Sequence, residues 1–177
     1  MGAFGLWFGG SHLGFGTHMP ALAAAVLTAR PGPVLEYGLG FYSTPLLHCL
    51  CLAMGRDHLS LDGDPRWAEQ FAGLREPSHR ILGFERWADS EPIVDAVPEW
   101  AVVFIDHGPN ERRVVDAKRL ATKAEFVVVH DWAIDDSAPH QRELSELFLH
   151  KRVYGPGPHT AVLSNTYPYG FPKFITF

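Results

Sequence analysis

Apolar positions along this chain alternate between short continuous runs and longer stretches with helical spacing. Val34–Tyr37, Ala101–Ile105 and Glu125–Val129 are mainly apolar runs, the pattern of strands covered on both faces of a parallel sheet. His58–Asp62 and His79–Gly83 read as two more strands, and Lys151–Tyr154 and Thr160–Ser164 as a closing pair joined through Gly155-Pro156-Gly157-Pro158. Between these runs, helices are expected over Met19–Ala29, Thr44–Met54, Arg66–Leu74, Glu111–Thr122 and Pro139–Leu147. The helix-end chemistry agrees: Thr17 is a candidate cap before Pro20, Thr44-Pro45 opens the second helix, and Gly55 closes it. Asp136 or Ser137 is the expected cap of the last helix. Strand–helix alternation of this kind predicts a doubly wound α/β sheet, with the closing pair as an antiparallel hairpin at one edge.

The length, 177 residues, fits one domain with a substantial core. It divides into an N-terminal loop and helix (1–30), a core (34–165) and an aromatic tail (166–177). Hydrophobic residues make up 46% and charged residues 20%, without an apolar run long enough to span a membrane. A net charge of −5 argues against a nucleic-acid partner, which usually shows as a basic excess. Arg112-Arg113, Lys118-Arg119 and Lys151-Arg152 read as solvated charge pairs. Cys49 and Cys51 lie two apart in an apolar helix, so they read as buried thiols, and reduced thiols fit a cytoplasmic protein.

In an open α/β sheet, ligands bind beyond the carboxyl ends of the strands. That rule selects Glu36, Gly38, Gly40, Asp62, Asp64, Asp106, His107, His130 and Asp131. The Gly38/Gly40 loop lets backbone approach a ligand and aims the amides of the Thr44 helix at an anionic group. Ser43 stands where G-x-G-x-x-G would have its third glycine, and no G-K-[ST] follows, which excludes a P-loop. Asp62 falls where an acid accepts both hydroxyls of a ribose, while Asp64 reads as a turn-former or cap for the helix at Pro65.

Taken together, Leu35-Glu36-Tyr37-Gly38-Leu39-Gly40, Leu61-Asp62-Gly63-Asp64-Pro65, Val103-Phe104-Ile105-Asp106 and Val127-Val128-Val129-His130-Asp131 resemble the successive motifs of class I S-adenosylmethionine-dependent methyltransferases. The resemblance covers roughly Val34 to Asn165. It implies a Rossmann-like, mostly parallel seven-stranded sheet of order 3-2-1-4-5-7-6 with its last strand antiparallel. It also implies S-adenosylmethionine as cofactor and methyl transfer as the activity. The implied cofactor residues are Glu36, Gly38, Gly40, Ser43, Thr44, Asp62, Gly63, Trp87 and Asp106, with Trp87 flanking the adenine and Asp106 beside the methyl group. The competing readings are a dinucleotide-dependent oxidoreductase, which the missing third glycine disfavours, and a non-catalytic binding module.

Asp106 and Asp131 end strands expected to be neighbours, about 5 Å apart. Their carboxylates can share a hard cation such as Mg²⁺, although the metal-free alternative is preferred. In that alternative Asp106 acts by itself and His107 or His130 is the general base. Trp7, Phe8, Phe15, Tyr167, Tyr169, Phe171, Phe174 and Phe177 read as core or interface residues, which keeps a homodimer among the expected partners. Alternatively they wall a small-molecule acceptor pocket, with Ser11-His12 and Thr17-His18 on its other side. Such an acceptor is the expected substrate.

Overall fold

The fold places five strand ends on one level, and that row defines the site. It is seen in a computed structural model that describes residues 16–133, 139–155 and 157–167. The strands are β1 (Val34–Tyr37), β2 (His58–Asp62), β3 (His79–Gly83), β4 (Trp100–Ile105), β5 (Ala124–Trp132), β6 (His150–Tyr154) and β7 (His159–Ser164). Their order is β3-β2-β1-β4-β5-β7-β6, as the resemblance implied. β1 to β5 are parallel, and β7 runs antiparallel between β5 and β6. Leu82, Leu61, Tyr37, Ile105 and Val129 pair in register across the sheet. The residues that follow them are therefore Gly83, Asp62, Gly38, Asp106 and His130.

Side-chain alternation sends successive strand residues to opposite faces. On one face Val34, Val102, Phe104, Phe126 and Val128 pack with α1 (Met19–Thr28) and α2 (Ser43–Met54). On the other, Leu35, Tyr37, Val103, Ile105, Val127 and Val129 pack with α5 (Asn110–Leu120) and α6 (Pro139–Leu147). α3 (Pro65–Glu69) and α4 (Glu91–Asp95) fill the connections that flank β3.

Several local expectations change. The helix expected over Arg66–Leu74 stops at Glu69 and resumes only as a 3-10 turn at Ala72–Leu74, interrupted before Gly73. α4 was not anticipated; it has only five residues and begins at Glu91-Pro92, too short to show a period. Thr17 and Thr44 do not cap. His18 and Tyr42 hold those positions without side-chain cap bonds, and both threonine hydroxyls are engaged elsewhere. Asp64 does cap α3, accepting from the Arg66 amide at 2.8 Å. Of the two thiols, Cys51 is buried but Cys49 is exposed. The proposed caps Asp136 and Ser137 lie outside the described residues.

Gly38 is where β1 turns beneath the end of β4. Its φ is +89°, and a Cβ there would lie 2.7 Å from the Asp106 carbonyl carbon and oxygen. Only glycine fits both the angle and the gap.

Beneath the α2 face lies a buried polar network. Glu36 has no exposed surface and accepts from Thr44 Oγ1 (3.0 Å) and Ser60 Oγ (2.6 Å). With Glu36 ionised, Ser60 gives its proton to the carboxylate, and the Nε2 atoms of His58 and His79, each 3.0 Å away, are then the donors to Ser60. His48 Nδ1 closes the chain at 2.9 Å from His79 Nδ1. Burial pushes the Glu36 carboxyl up to about 7, against the hydrogen bonds from Ser60, Ser43 and Thr44. Burial likewise lowers His79 to about 4 and holds His58 well below its ordinary value.

Two outcomes follow from this packing. Gly38→Ala should lower unfolding stability by about 2–4 kcal/mol, combining left-handed strain with overpacking, as read by urea denaturation. Glu36 favours its protonated form when folded, so the wild type should lose stability as pH rises from the ordinary carboxylate range through 7. Relative to Glu36→Gln, that loss should be about 2–3 kcal/mol between pH 5 and pH 8. A difference between the two proteins that stays constant with pH would refute the raised carboxyl.

Candidate cofactor and acceptor site

The carboxyl edge divides into two halves. The first is built around the β1–α2 loop. Asp62 Oδ2 accepts the Leu39 amide at 2.9 Å and its Oδ1 accepts the Asp64 amide at 2.9 Å, so one carboxylate ties the loop to the end of β2. Burial raises the Asp62 carboxyl even against those two amides. Trp67 Nε1 donates to the Leu39 carbonyl at 2.7 Å from the other side. The Gly40 amide donates to Thr44 Oγ1 at 3.0 Å, and Thr44 passes its proton on to Glu36. Ser43 and Thr44 are buried in the first turn of α2. A Cβ on Gly40 would meet only Ser43 Oγ, at 3.1 Å, so Gly40 otherwise faces open space.

Trp87 closes this half. Its Nε1 donates to the Gly108 carbonyl at 3.0 Å, and its ring lies 4.4 Å from that of His107. A Cβ on Gly63 would stand 3.1 Å from the Trp87 indole, so Gly63 lets the ring lie over the end of β2. Glu36, Gly38, Gly40, Ser43, Thr44, Asp62, Gly63 and Trp87 thus form one continuous set of contacts.

The second half is organised by a bulge. β5 and β7 lose register between Val129 and Trp132, and Asp131 has φ 55. Two residues of β5 thus fit against one of β7, which re-aims the side chains of His130 and Asp131. Asp106 and His130 continue the parity of Phe104 and Val128 toward α1. There His130 Nδ1 lies 3.1 Å from Asp106 Oδ2, and His130 Nε2 lies 3.1 Å from Thr17 Oγ1. His18, only 2% exposed, sets its ring edge-on to His130 at 4.7 Å. Burial, with His130 adding to it, lowers His18 to about 4.

His107 has the opposite parity and leaves this group. Its Nε2 meets Asp116 of α5 at 2.8 Å in a buried pair, while Arg112 donates to both oxygens of Asp116. His107 therefore packs beneath Trp87 and does not stand at the end shared by Asp106 and His130, where a general base was expected.

Asp106 and Asp131 do not face each other across an oxygen-lined gap either. The buried guanidinium of Arg113 lies between them, with Nη2 at 3.2 Å from Asp106 Oδ1 and Nη1 at 3.2 Å from Asp131 Oδ2. Arg113 also donates to the His107 and His130 carbonyls at 2.6 and 3.0 Å. A shared Mg²⁺ would compete with this resident cation. Reading Arg112-Arg113 as solvated overlooked it. Helical parity was the available signal, since Val114, Ala117 and Leu120 turn the same side of α5 inward. The sequence offers His18 only as a pocket-wall candidate.

Tyr167, partly buried, packs against the core on Phe126 at 4.9 Å. Trp7, Phe8, Ser11, His12, Phe15, Tyr169, Phe171, Phe174 and Phe177, which carry the rest of the acceptor-pocket and interface expectations, lie outside the described residues. Among those described, no helix is long and apolar enough to cross a membrane.

No protein family matches the sequence, and no curated protein does. Solved structures do match the fold. The human methyltransferase 10 domain containing protein aligns at TM-score 0.58 and 9% identity, over 85% of this chain and 81% of that one. TrmK of M. capricolum, in complex with the cofactor product S-adenosyl-homocysteine, aligns at 0.54 and 6% identity over 88% and 71%. The 23S rRNA methyltransferase ErmE aligns at 0.52 and 18% identity over 84% and 69%. This last neighbour overturns the exclusion of nucleic acid drawn from net charge. Charge summed over a chain does not report the local surface that meets a phosphate backbone, and the same architecture serves an rRNA methyltransferase. The strand order, the glycine loop on β1 and the acid ending β2 together identify this chain as carrying the class I methyltransferase fold.

Proposed function

We propose that the chain is an S-adenosylmethionine-dependent methyltransferase. The observation that carries the reading is the row of Gly38, Asp62 and Asp106 at the carboxyl edge, with Asp62 already hydrogen-bonded to the loop that would border the cofactor. Each Asp62 oxygen has accepted one amide and keeps a lone pair for a ribose hydroxyl. Gly38 and Gly40 leave the loop backbone open to the methionine portion. Trp87 offers an indole face to the adenine, and Thr44 with Glu36 holds the loop in place without touching the ligand. Neighbours of this fold that are methyltransferases, one of them with bound S-adenosyl-homocysteine, support the same cofactor.

The reaction asks little covalent help of the protein. S-adenosylmethionine, held by Gly38, Gly40, Asp62 and Trp87, would supply an electrophilic methyl carbon to the acceptor's lone pair, with a neutral thioether as the leaving group. Alignment of the two reactants supplies most of the rate. Asp106 and His130 stand at the end where the acceptor would enter, and they position it. For the acceptor, the reading takes a small molecule, since two buried imidazoles and an ion pair surround that end. An RNA acceptor is the second reading, favoured by the 23S rRNA methyltransferase among the neighbours. Transfer of labelled methyl from the cofactor into a cell extract, split into RNA and small-molecule fractions, assigns the class.

Calorimetry tests the cofactor directly. S-adenosylhomocysteine should bind and NAD⁺ should not. Asp62→Ala should cost about 1–3 kcal/mol of binding, roughly 5- to 150-fold, by unpairing the ribose hydroxyls. Wild-type affinity in that variant removes Asp62 from the ribose role. Gly40→Val, if folded, should abolish binding by filling the approach to the ligand; unchanged affinity would move the site off this loop.

A further inference from the structure

The hydrogen bonds around His130 leave a gap that needs a positive charge. Thr17 has one hydroxyl proton and gives it to the Pro158 carbonyl at 2.6 Å. A carbonyl only accepts, so His130 Nε2, 3.1 Å from Thr17 Oγ1, must be the donor in that contact. In the neutral ring the other nitrogen, Nδ1, then carries a lone pair. It points at Asp106 Oδ2, 3.1 Å away, which is also a lone-pair donor. Two acceptors at that distance repel unless a proton or a metal ion lies between them.

His18 decides between the two. It is 2% exposed, and neither of its ring nitrogens has a hydrogen-bond partner among the described residues. An orphaned buried imidazole is costly, and a proton shared by His130 and Asp106 does nothing for it. One ligand atom from each of His18, Asp106 and His130 lies within 4.8 Å of the other two. Ligand atoms around a tetrahedral ion with bonds of about 2.0–2.1 Å are roughly 3.3 Å apart, so small side-chain rotations close the set. The supporting contacts are those that metal ligands generally have. Thr17 holds the far nitrogen of His130 and fixes its tautomer, and Arg113 holds the far oxygen of Asp106 at 3.2 Å.

We infer that His18, Asp106 and His130 form a binding site for a divalent first-row transition ion of the zinc or cobalt class. Two imidazoles and one carboxylate favour such an ion over Mg²⁺, which prefers oxygen alone. The site differs from an Asp106–Asp131 oxygen pair in using α1, and in leaving Asp131 to Arg113. Three protein ligands leave a coordination position for an oxygen, nitrogen or sulfur atom of an incoming molecule. Metal binding is independent of the proposed methyl transfer; only the identity of that incoming molecule as the acceptor rests on it.

The test reads metal binding and not turnover. The full chain, stripped with chelator, is titrated with Co²⁺ and followed by calorimetry and by the visible ligand-field bands. One equivalent should bind, with Zn²⁺ displacing it. His18→Ala and Asp106→Asn should each weaken binding by at least about tenfold, whereas Asp131→Asn should stay within about threefold of wild type. Should His18→Ala fail to fold, imidazole ¹⁵N spectra of the wild type replace it: adding Zn²⁺ should shift one nitrogen of His18 and one of His130. The inference falls if the wild type binds no Co²⁺, if His18→Ala binds as tightly as wild type, or if the histidine nitrogens do not move. It also falls if Asp131→Asn loses the metal while His18→Ala keeps it, which would return the ion to the oxygen pair.

Discussion

The buried guanidinium of Arg113 is the constraint on which the Asp106–His130 end of the sheet depends. It is 9% exposed and meets four oxygens: the His107 and His130 carbonyls and the Asp106 and Asp131 carboxylates. Those oxygens belong to the ends of β4 and β5, which diverge as β5 bulges toward β7. Without a shared donor, two carbonyls and two carboxylates would be gathered with no positive charge among them. A lysine could not substitute, since a single ammonium cannot reach both strands with a planar fork of donors. Removing the guanidinium would leave uncompensated acids at an edge that is half out of water, which costs more than the pairing itself is worth.

The cofactor half depends on a separate set of bonds. There the constraint is Gly38, whose backbone passes so close to Asp106 that no side chain fits. The loop beyond it is held from three directions, by Asp62, by Trp67 and by Thr44 over Glu36. None of these bonds involves Arg113, α1 or the bulge. Among the described residues the two halves meet at Asp106, which accompanies Gly38 on one side and His130 on the other, and at His107, whose carbonyl accepts from Arg113 while its ring packs on Trp87. A loop fixed in advance lowers the ordering cost of binding a flexible ligand.

Most of the sheet was legible because buried parallel strands are written as uninterrupted apolar runs, and their ends are marked by glycine or acid. Gly38, Asp62 and Asp106 were therefore legible as strand-end residues, and the resemblance to the methyltransferase motifs supplied the strand order that sets them side by side. The bulge at His130-Asp131 was not, because an extra residue in a strand depends on its partner's register, and β7 is thirty residues away. The pairing of His107 with Asp116 was legible in principle: consecutive residues past a strand end take opposite faces, so His107 and Asp106 could not both serve the same end. Arg113 was hidden in a basic doublet of which only one member follows the apolar side of α5. Net charge misled for a related reason, being a property of the whole chain when recognition is a property of a patch.

His18 shows where legibility stops. Nothing near it in sequence marks it, since it precedes an ordinary alanine-rich helix and has no periodic partner. Its place at the reacting edge comes from α1 crossing the sheet face beside β4 and β5, with His18 against Phe104 and His130. The glycine-loop half is thus assembled from strand ends and loops of the alternating core. The Asp106–His130 half adds His18, just before α1, to the strand ends. A change in α1 can therefore alter the surroundings of Asp106 and His130 without disturbing the β1–α2 loop. That separation gives one physical account of how a common architecture takes on different acceptors.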